Sequence, residues 1–203
     1  MMLVTQQLRP AFVMTIVLTV LLGLAYPLAM TGIAQAVLPH QANGSLIRDA
    51  NGAVIGSELI GQEFTSPGYF HGRPSATVNA SSGKPQPYAA DNSAGSNLAP
   101  SNQALIDRVK KDVQLQRQQN GLGADQQVPA DLVTSDFSGL DPNITEASAL
   151  LQVNRVAQAR NRDPAKVRAL VESHVQGRVL WIFGEPHVNV LDVNMALDSG
   201  AAG

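Results

Sequence analysis

Four histidines, at 40, 71, 174 and 187, are the side chains of this sequence best suited to metal ligation or proton transfer. No two of them stand in an H-x-x-x-H pattern, and none lies one helical turn from a carboxylate in a zinc spacing. Metal chemistry is therefore not expected, and neither is a thiolate site, because the chain has no cysteine. Gly83-Lys84 has the look of a phosphate loop. Val78 stands where that loop needs its first glycine, however, and Pro85 replaces the Ser or Thr that would meet magnesium. The G-x-S-x-G elbow of a hydrolase serine is absent. Asn79-Ala80-Ser81 and Asn143-Ile144-Thr145 match a glycosylation acceptor, a pattern common by chance. No catalytic constellation emerges, which makes an anchored hydrolase a poor reading.

The residue types that stand out belong to recognition. Tyr69-Phe70-His71-Gly72-Arg73-Pro74 sets two aromatics and an arginine on a turn, and Tyr69, Phe70 and Arg73 are of the kinds that anchor interfaces. The plainer alternative is that the aromatics cover the core and the arginine is solvated. Asp49, Glu58, Glu63, Asp131, Asp136 and Asp141 could form an acidic surface that gathers cations, opposed by Arg48, Arg73 and Lys84. A net charge of −2 gives no footprint for nucleic acid.

These residues are carried by a chain of 203 residues whose first part is built for a membrane. Between Pro10 and Ile47 there is no Asp, Glu, Lys or Arg, and residues 11–36 are long and apolar enough for one transmembrane helix. The rival is a cleaved signal peptide, with Arg9 as its basic region and Ala34-Gln35-Ala36 as its cleavage pattern. The apolar run exceeds the usual signal length, so a retained anchor is expected. Arg9 precedes the span, whereas Arg48 after it is followed at once by Asp49; this bias places the N-terminus in the cytoplasm and the domain outside. Thr15, Thr19 and Gly23 recur every four residues, and Ala25, Ala29, Gly32 and Ala36 at four, three and four. Small residues at that spacing let a second helix approach closely. Pro27 should free a carbonyl and bend the helix.

The expected organisation is an anchor over residues 1–38 and one α+β domain over 39–203, with a small sheet and about three helices. Asn51-Gly52 between short apolar runs predicts a hairpin with a type I′ turn. Residues 65–100 read as long irregular structure. Helices are expected over 102–118 with Ser101 as cap, over 145–161 with Thr145 as cap, and from Asp163-Pro164 to a stop at Gly177. Ala147, Leu150, Val153 (or Leu151) and Ala157 should form the apolar face of the second, and Val175 closes the stripe of the third. Val179–Phe183 and Val188–Met195 read as strands.

The chain resembles a known family over nearly its whole length. The resemblance rests on Leu8-Arg9-Pro10-Ala11, Leu59-Ile60-Gly61-Gln62, Tyr69-Phe70-His71-Gly72-Arg73-Pro74-Ser75-Ala76-Thr77, Ser138-Gly139-Leu140-Asp141-Pro142-Asn143-Ile144-Thr145 and Gly184-Glu185-Pro186-His187-Val188-Asn189-Val190-Leu191. These look like the C subunits of the bacterial Kdp potassium-transporting P-type ATPase. Ala94 stands where that family usually carries a glycine. The resemblance implies an inner-membrane, single-pass, non-catalytic accessory subunit. Its partners would be a potassium-selective channel-like subunit, a P-type ATPase subunit and a small single-span subunit. It also implies a role as a catalytic chaperone that raises the ATP affinity of the ATPase subunit, with Gln152 as the residue proposed to act on nucleotide. No firmly bound cofactor is expected otherwise. A domain outside the cytoplasm does not meet ATP, and a helix-interior glutamine offers no spare N–H groups to phosphate. An indirect effect is therefore favoured over direct contact. A membrane-anchored module that binds nucleotide or peptide is the competing function.

Overall fold

A computed structural model describes residues 2–49 and 51–200. The chain divides into two compact units, one ending at Ile55 and one beginning at Gly56.

The first unit is dominated by helix. α1 (Met2–Val20) runs through a single π-helical stretch, Leu21–Ala25, into α2 (Tyr26–Val37). Residues Gln6–Val37 carry a mean hydropathy of 2.2 over their most apolar window, and none of that window is buried. The helix is long and apolar enough to cross a membrane. Pro27 explains the π stretch. Proline has no N–H to give the carbonyl four residues earlier, and its ring crowds that carbonyl. The Tyr26 N–H reaches back to the Leu21 carbonyl, five residues away, so an extra residue is absorbed in one wide turn. What the structure shows at Pro27 is a change of helical register.

A short helix, α3 (Pro39–Ala42), leads into a hairpin of β1 (Leu46–Arg48) and β2 (Val54–Ser57). The hairpin stands where Asn51-Gly52 predicts it, but its turn is of another type. Among the described residues of the turn only Gly52 has positive φ, at +82°. Its N–H donates to the Asp49 carbonyl at 3.0 Å, while the Asp49 N–H pairs with the Ala53 carbonyl at 2.9 Å. This is a tight turn closed by one left-handed glycine. The Asp49 side chain makes it possible, accepting from the Asn51 and Ala53 N–H groups through Oδ1.

The second unit is α+β. α4 (Gln103–Asn120), α5 (Glu146–Ala159), α6 (Pro164–Ser173) and α7 (Val190–Asp198) accompany a three-stranded antiparallel sheet. Its strands are β3 (Asn143–Thr145), β4 (Val175–Gln176) and β5 (His187–Asn189), with β5 in the centre. Ile144 and Val175 both stand opposite Val188, so the sheet presents these side chains together to the helices. The core gathers Phe70, Ile144, Val153, Val156, Val167, Val171, Val188, Val193 and Leu197. A fully buried side chain of this size contributes about 1.5–3 kcal/mol.

The helix ends follow local chemistry. Thr145 caps α5 through the Ser148 N–H, and Asp163 caps α6 ahead of Pro164. Gly121 ends α4 in the left-handed conformation that a C-terminal glycine supplies. Four expectations need correction. The cap of α4 is Asn102 rather than Ser101, its oxygen accepting from the Ala104 N–H. α6 stops at Ser173, and Val175 leaves the helix to pair with Val188. The run Val190–Met195 is helix, not strand. The Asn189 side chain accepts from the Leu191 and Asp192 N–H groups, and this cap outweighs the β-prone side chains that follow. Finally, Val179–Phe183 is an exposed loop with a single bridge between its ends.

Candidate functional site

The segment from Ser66 to Arg73 has no regular structure, yet its centre lies in the core. Buried backbone N–H and C=O groups must find partners. Here two side-chain amides provide them. Asn194, on α7, accepts from the Phe70 N–H at 2.8 Å and donates to the Phe70 carbonyl at 3.0 Å. Gln152, on α5, does the same for the next residue, accepting from the His71 N–H at 2.8 Å and donating to the His71 carbonyl at 3.1 Å. Each amide acts on its residue as a neighbouring β-strand would. Two helices thereby hold an extended segment that has no strand beside it.

Gln152 has nothing left to offer a ligand. It is fully buried; its Oε1 also accepts from Arg155 Nη2 at 2.6 Å, and its Nε2 also donates to the Ser148 carbonyl at 3.2 Å. Both lone pairs and both amide hydrogens are used. The geometry does not fit direct contact with a nucleotide.

Arg155 extends the clamp. Its Nη1 donates to the Pro67 and Tyr69 carbonyls at 2.6 and 2.9 Å, and its Nε donates to Asn120 Oδ1 at 3.1 Å. Burial lowers its pKa to about 10, so it stays a cation at neutral pH. The imidazole of His71 lies beside it, with 3.5 Å between Nε2 and Arg155 Nη1. Burial first, and the Arg155 charge second, hold the His71 pKa below its ordinary value. A neutral imidazole places its Nε2–H on the Ser66 carbonyl at 3.0 Å.

Of the three residues expected to anchor an interface, Phe70 is corrected by its burial: it is wholly enclosed in the core. Tyr69 is half-buried. Its ring stacks under the Arg160 guanidinium at 4.6 Å and leans on Phe64, while its hydroxyl donates to Asp198 at 3.0 Å. Arg160 is held in turn by Asp198 at 2.7 Å and the Gly68 carbonyl at 2.5 Å. Arg73 lines a cleft with Glu63, His71, Tyr88, Asp112 and Gln116. Its contacts are long, 3.4 Å to Asp141 and 3.5 Å to the Thr134 carbonyl, and its Nε has no partner among the described residues. Burial pushes the Tyr88 hydroxyl well above its ordinary pKa, so it remains a donor, to the Arg73 carbonyl at 2.8 Å.

The long irregular stretch is organised by the same device. Ser75 Oγ donates to the Gly139 carbonyl and accepts from the Tyr88 N–H; Thr77 Oγ1 donates to the Gln86 carbonyl and accepts from the Ala89 N–H. Gly139 has φ of +68°, and a Cβ there would stand 2.5 Å from Thr77 Cγ2 and 2.8 Å from the Ala94 carbonyl oxygen. Asp131, counted among possible surface acids, is instead nearly buried. It accepts from Ser148 Oγ at 2.5 Å and the Thr145 N–H at 2.7 Å, placing a carboxylate at the N-terminus of α5. Asp136 is turned to local use as well. Burial raises its pKa, but hydrogen bonds from Ser138 and Gly139 outweigh this and leave it lowered.

The expected helix face of α5 is shifted. Ser148, Ala149, Gln152, Val153, Val156 and Ala157 are buried, whereas Ala147 is exposed and Leu150 only half-buried. Arg155, Asn194 and Asp131 each read in the sequence as solvated side chains, and so pass unnoticed as groups that hold buried polar atoms. The pair Asn189 and Asp192 at the start of α7 was the available signal, because recognising the cap turns Asn194 inward with Val190, Val193 and Leu197.

On the first unit, Thr15, Thr19, Gly23, Ala25, Ala29 and Gly32 are all exposed. Thr15 donates to the Ala11 carbonyl at 2.8 Å, which satisfies its hydroxyl within the helix. Nothing lies within 4 Å of a Cβ placed on Gly32. Among the described residues no cluster of three or more metal-binding side chains occurs.

A helix long and apolar enough to cross a membrane, joined to an α+β unit whose polar side chains hold its irregular backbone, is the architecture of the described residues. Comparison with known proteins gives the family. The KdpC family, described as K+-transporting ATPase, c chain, matches residues 8–199. A potassium-transporting ATPase KdpC subunit of Rhodopseudomonas palustris is 54% identical over 199 residues, 96% of this chain and 98% of the relative. The protein of the same name from Bradyrhizobium diazoefficiens is 54% identical over 202 residues, covering 97% and 98%. That from Sorangium cellulosum is 55% identical over 191 residues, covering 94% and 96%. The chain belongs to the KdpC family.

Proposed function

We propose that this chain is a non-catalytic accessory subunit of an ATP-driven potassium uptake complex, required for its assembly and stability. Family membership at this identity is the observation that carries the reading. The span supports it: a helix with no buried residue and small residues at four-residue intervals suits close packing on another membrane helix. Its partner is the potassium-selective, channel-like subunit of the complex, alongside the P-type ATPase subunit and the small single-span subunit. The domain lies outside the cytoplasm, as the charges flanking the span favour.

The chaperone role follows indirectly. Gln152 shapes the Phe70–His71 segment, and any influence on the ATP affinity of the ATPase subunit passes through the assembled complex. Binding that favours one state of a partner alters ligand affinity at a distant site. Deleting residues 1–38 should leave a domain that no longer copurifies with the other subunits and does not restore potassium-dependent ATPase activity. Full activity with the truncated chain would refute the docking role of the span. Saturable nucleotide binding by the intact chain alone would instead favour a direct site.

A further inference from the structure

The loop between β4 and β5 is unlike the rest of the second unit. Val179, Leu180, Trp181, Ile182 and Phe183 follow one another without a polar side chain, and each is between 62% and 90% exposed. Of the other large exposed apolar residues of this unit, Leu115 stands apart, while Leu59 and Phe137 border one hollow that Asp136 and Asp141 also line. Five in sequence at a hairpin tip mark an interaction surface.

Three features say what the tip meets. Four of its five backbone N–H groups are satisfied within the loop. Val179 and Phe183 exchange N–H···O=C bonds at 2.9 and 3.0 Å, the Trp181 N–H reaches the Arg178 carbonyl and the Ile182 N–H the Val179 carbonyl, both at 3.2 Å. Most of its donors therefore need no partner on entering the headgroup–acyl boundary, where water and headgroups can meet the Leu180 N–H and the carbonyls of Leu180, Trp181 and Ile182. Leu180 and Trp181 sit at φ of +52° and +61°, a conformation rare for such side chains and maintained by those bonds. A polar collar closes the base: Arg178 Nη2 contacts both oxygens of Glu185 at 2.8 Å. The chemistry of the tip changes within one residue from five apolar side chains to an ion pair, as at a boundary between acyl chains and headgroups. Trp181, whose amphipathic ring suits that boundary, is the most exposed of the five. The occupant is already at hand, since the chain carries a helix long and apolar enough to cross a bilayer. A tethered second contact forms at high effective concentration.

We propose that the Val179–Phe183 tip inserts into the headgroup–acyl boundary of the bilayer that the span crosses, giving the domain a second membrane attachment. The inference rests on a retained span and on no assignment of partner subunits or orientation.

Trp181 is the one tryptophan of the chain, so its fluorescence reports the tip directly. The full chain is reconstituted into vesicles of phosphatidylethanolamine and phosphatidylglycerol, with flotation reporting the span separately. Replacing part of the lipid by phosphatidylcholine brominated near the top of its acyl chains should cause loss of emission, and aqueous iodide should quench weakly. Leu180→Asp with Ile182→Asp keeps the probe and changes only exposed side chains. It should abolish quenching by brominated lipid and restore quenching by iodide, with the thermal melt unchanged. Strong iodide quenching without an effect of brominated lipid in the wild-type chain, while it floats with the vesicles, would overturn the proposal. Shielding from iodide without bromine quenching, whether alone or only with other subunits present, would overturn it in favour of a protein contact. Bromine quenching that survives both aspartates would also overturn it.

Discussion

The span and the Phe70–His71 segment solve the same problem in opposite ways. Both keep backbone polar groups away from water. The span does so with its own helical ladder, so that its side chains are left exposed. The segment has no ladder and borrows Gln152, Asn194 and Arg155, whose polar atoms are thereby consumed. A regular element keeps its surface for partners; an irregular one spends its neighbours' chemistry on itself. This is why the glutamine to which the resemblance assigns a nucleotide role is a structural clamp here, whereas the row of Thr, Gly and Ala lies exposed.

That contrast predicts a graded series. Gln152→Leu should have the largest effect on the fold. It leaves the His71 N–H and carbonyl buried without partners and removes a contact of Arg155, at a cost of about 3–5 kcal/mol. The melting temperature followed by circular dichroism should fall by roughly 10 °C. A loss no greater than that of the exposed neighbour Asn154→Leu would break the comparison. Gly139→Ala comes next, at about 2–3 kcal/mol, because a side chain at this φ is strained and meets Thr77 and the Ala94 carbonyl. Denaturant titration gives the value, and a neutral result would mean that the Ser75–Thr77 network yields easily.

A smaller effect concerns pH. The folded His71 pKa lies below its ordinary value of 6.5, so below that pH the unfolded chain binds more protons than the folded one. Stability should be full above 6.5 and decline as pH falls through the folded pKa. His71→Asn should flatten this part of the stability–pH curve relative to wild type; an unchanged slope would remove His71 as its source. Gly23→Leu should leave the melt of the isolated chain unchanged and act only on assembly, read as loss of copurifying subunits from detergent extracts. Undisturbed assembly would remove Gly23 from the docking face.

The parts legible in the sequence were those governed by local rules. An uncharged apolar run, Thr145 and Asp163-Pro164 at helix starts, and Gly121 at a helix end each carry their cause within a few residues. What escaped depends on distant partners. Phe70 reads as either an interface anchor or a cover of the core until Asn194, far along the chain, is seen to hold its backbone inside. Asp131 looks solvated until α5 presents its N-terminus to it. The Val179–Phe183 run has the composition of a strand, but the backbone of Leu180 and Trp181 turns left-handed. Likewise the alternation from Val188 onward suits a strand until Asn189 starts a helix.

The wide turn at Leu21–Ala25 sets the azimuth of everything after it. One residue more per turn delays the phase of the following helix by about 100°. Ala29 and Gly32 therefore stand about 100° away from where simple counting from Thr15 and Thr19 would place them. A straight rod lying along the first row loses the second, so a neighbour that follows both must itself twist, or two neighbours must share the helix at different depths.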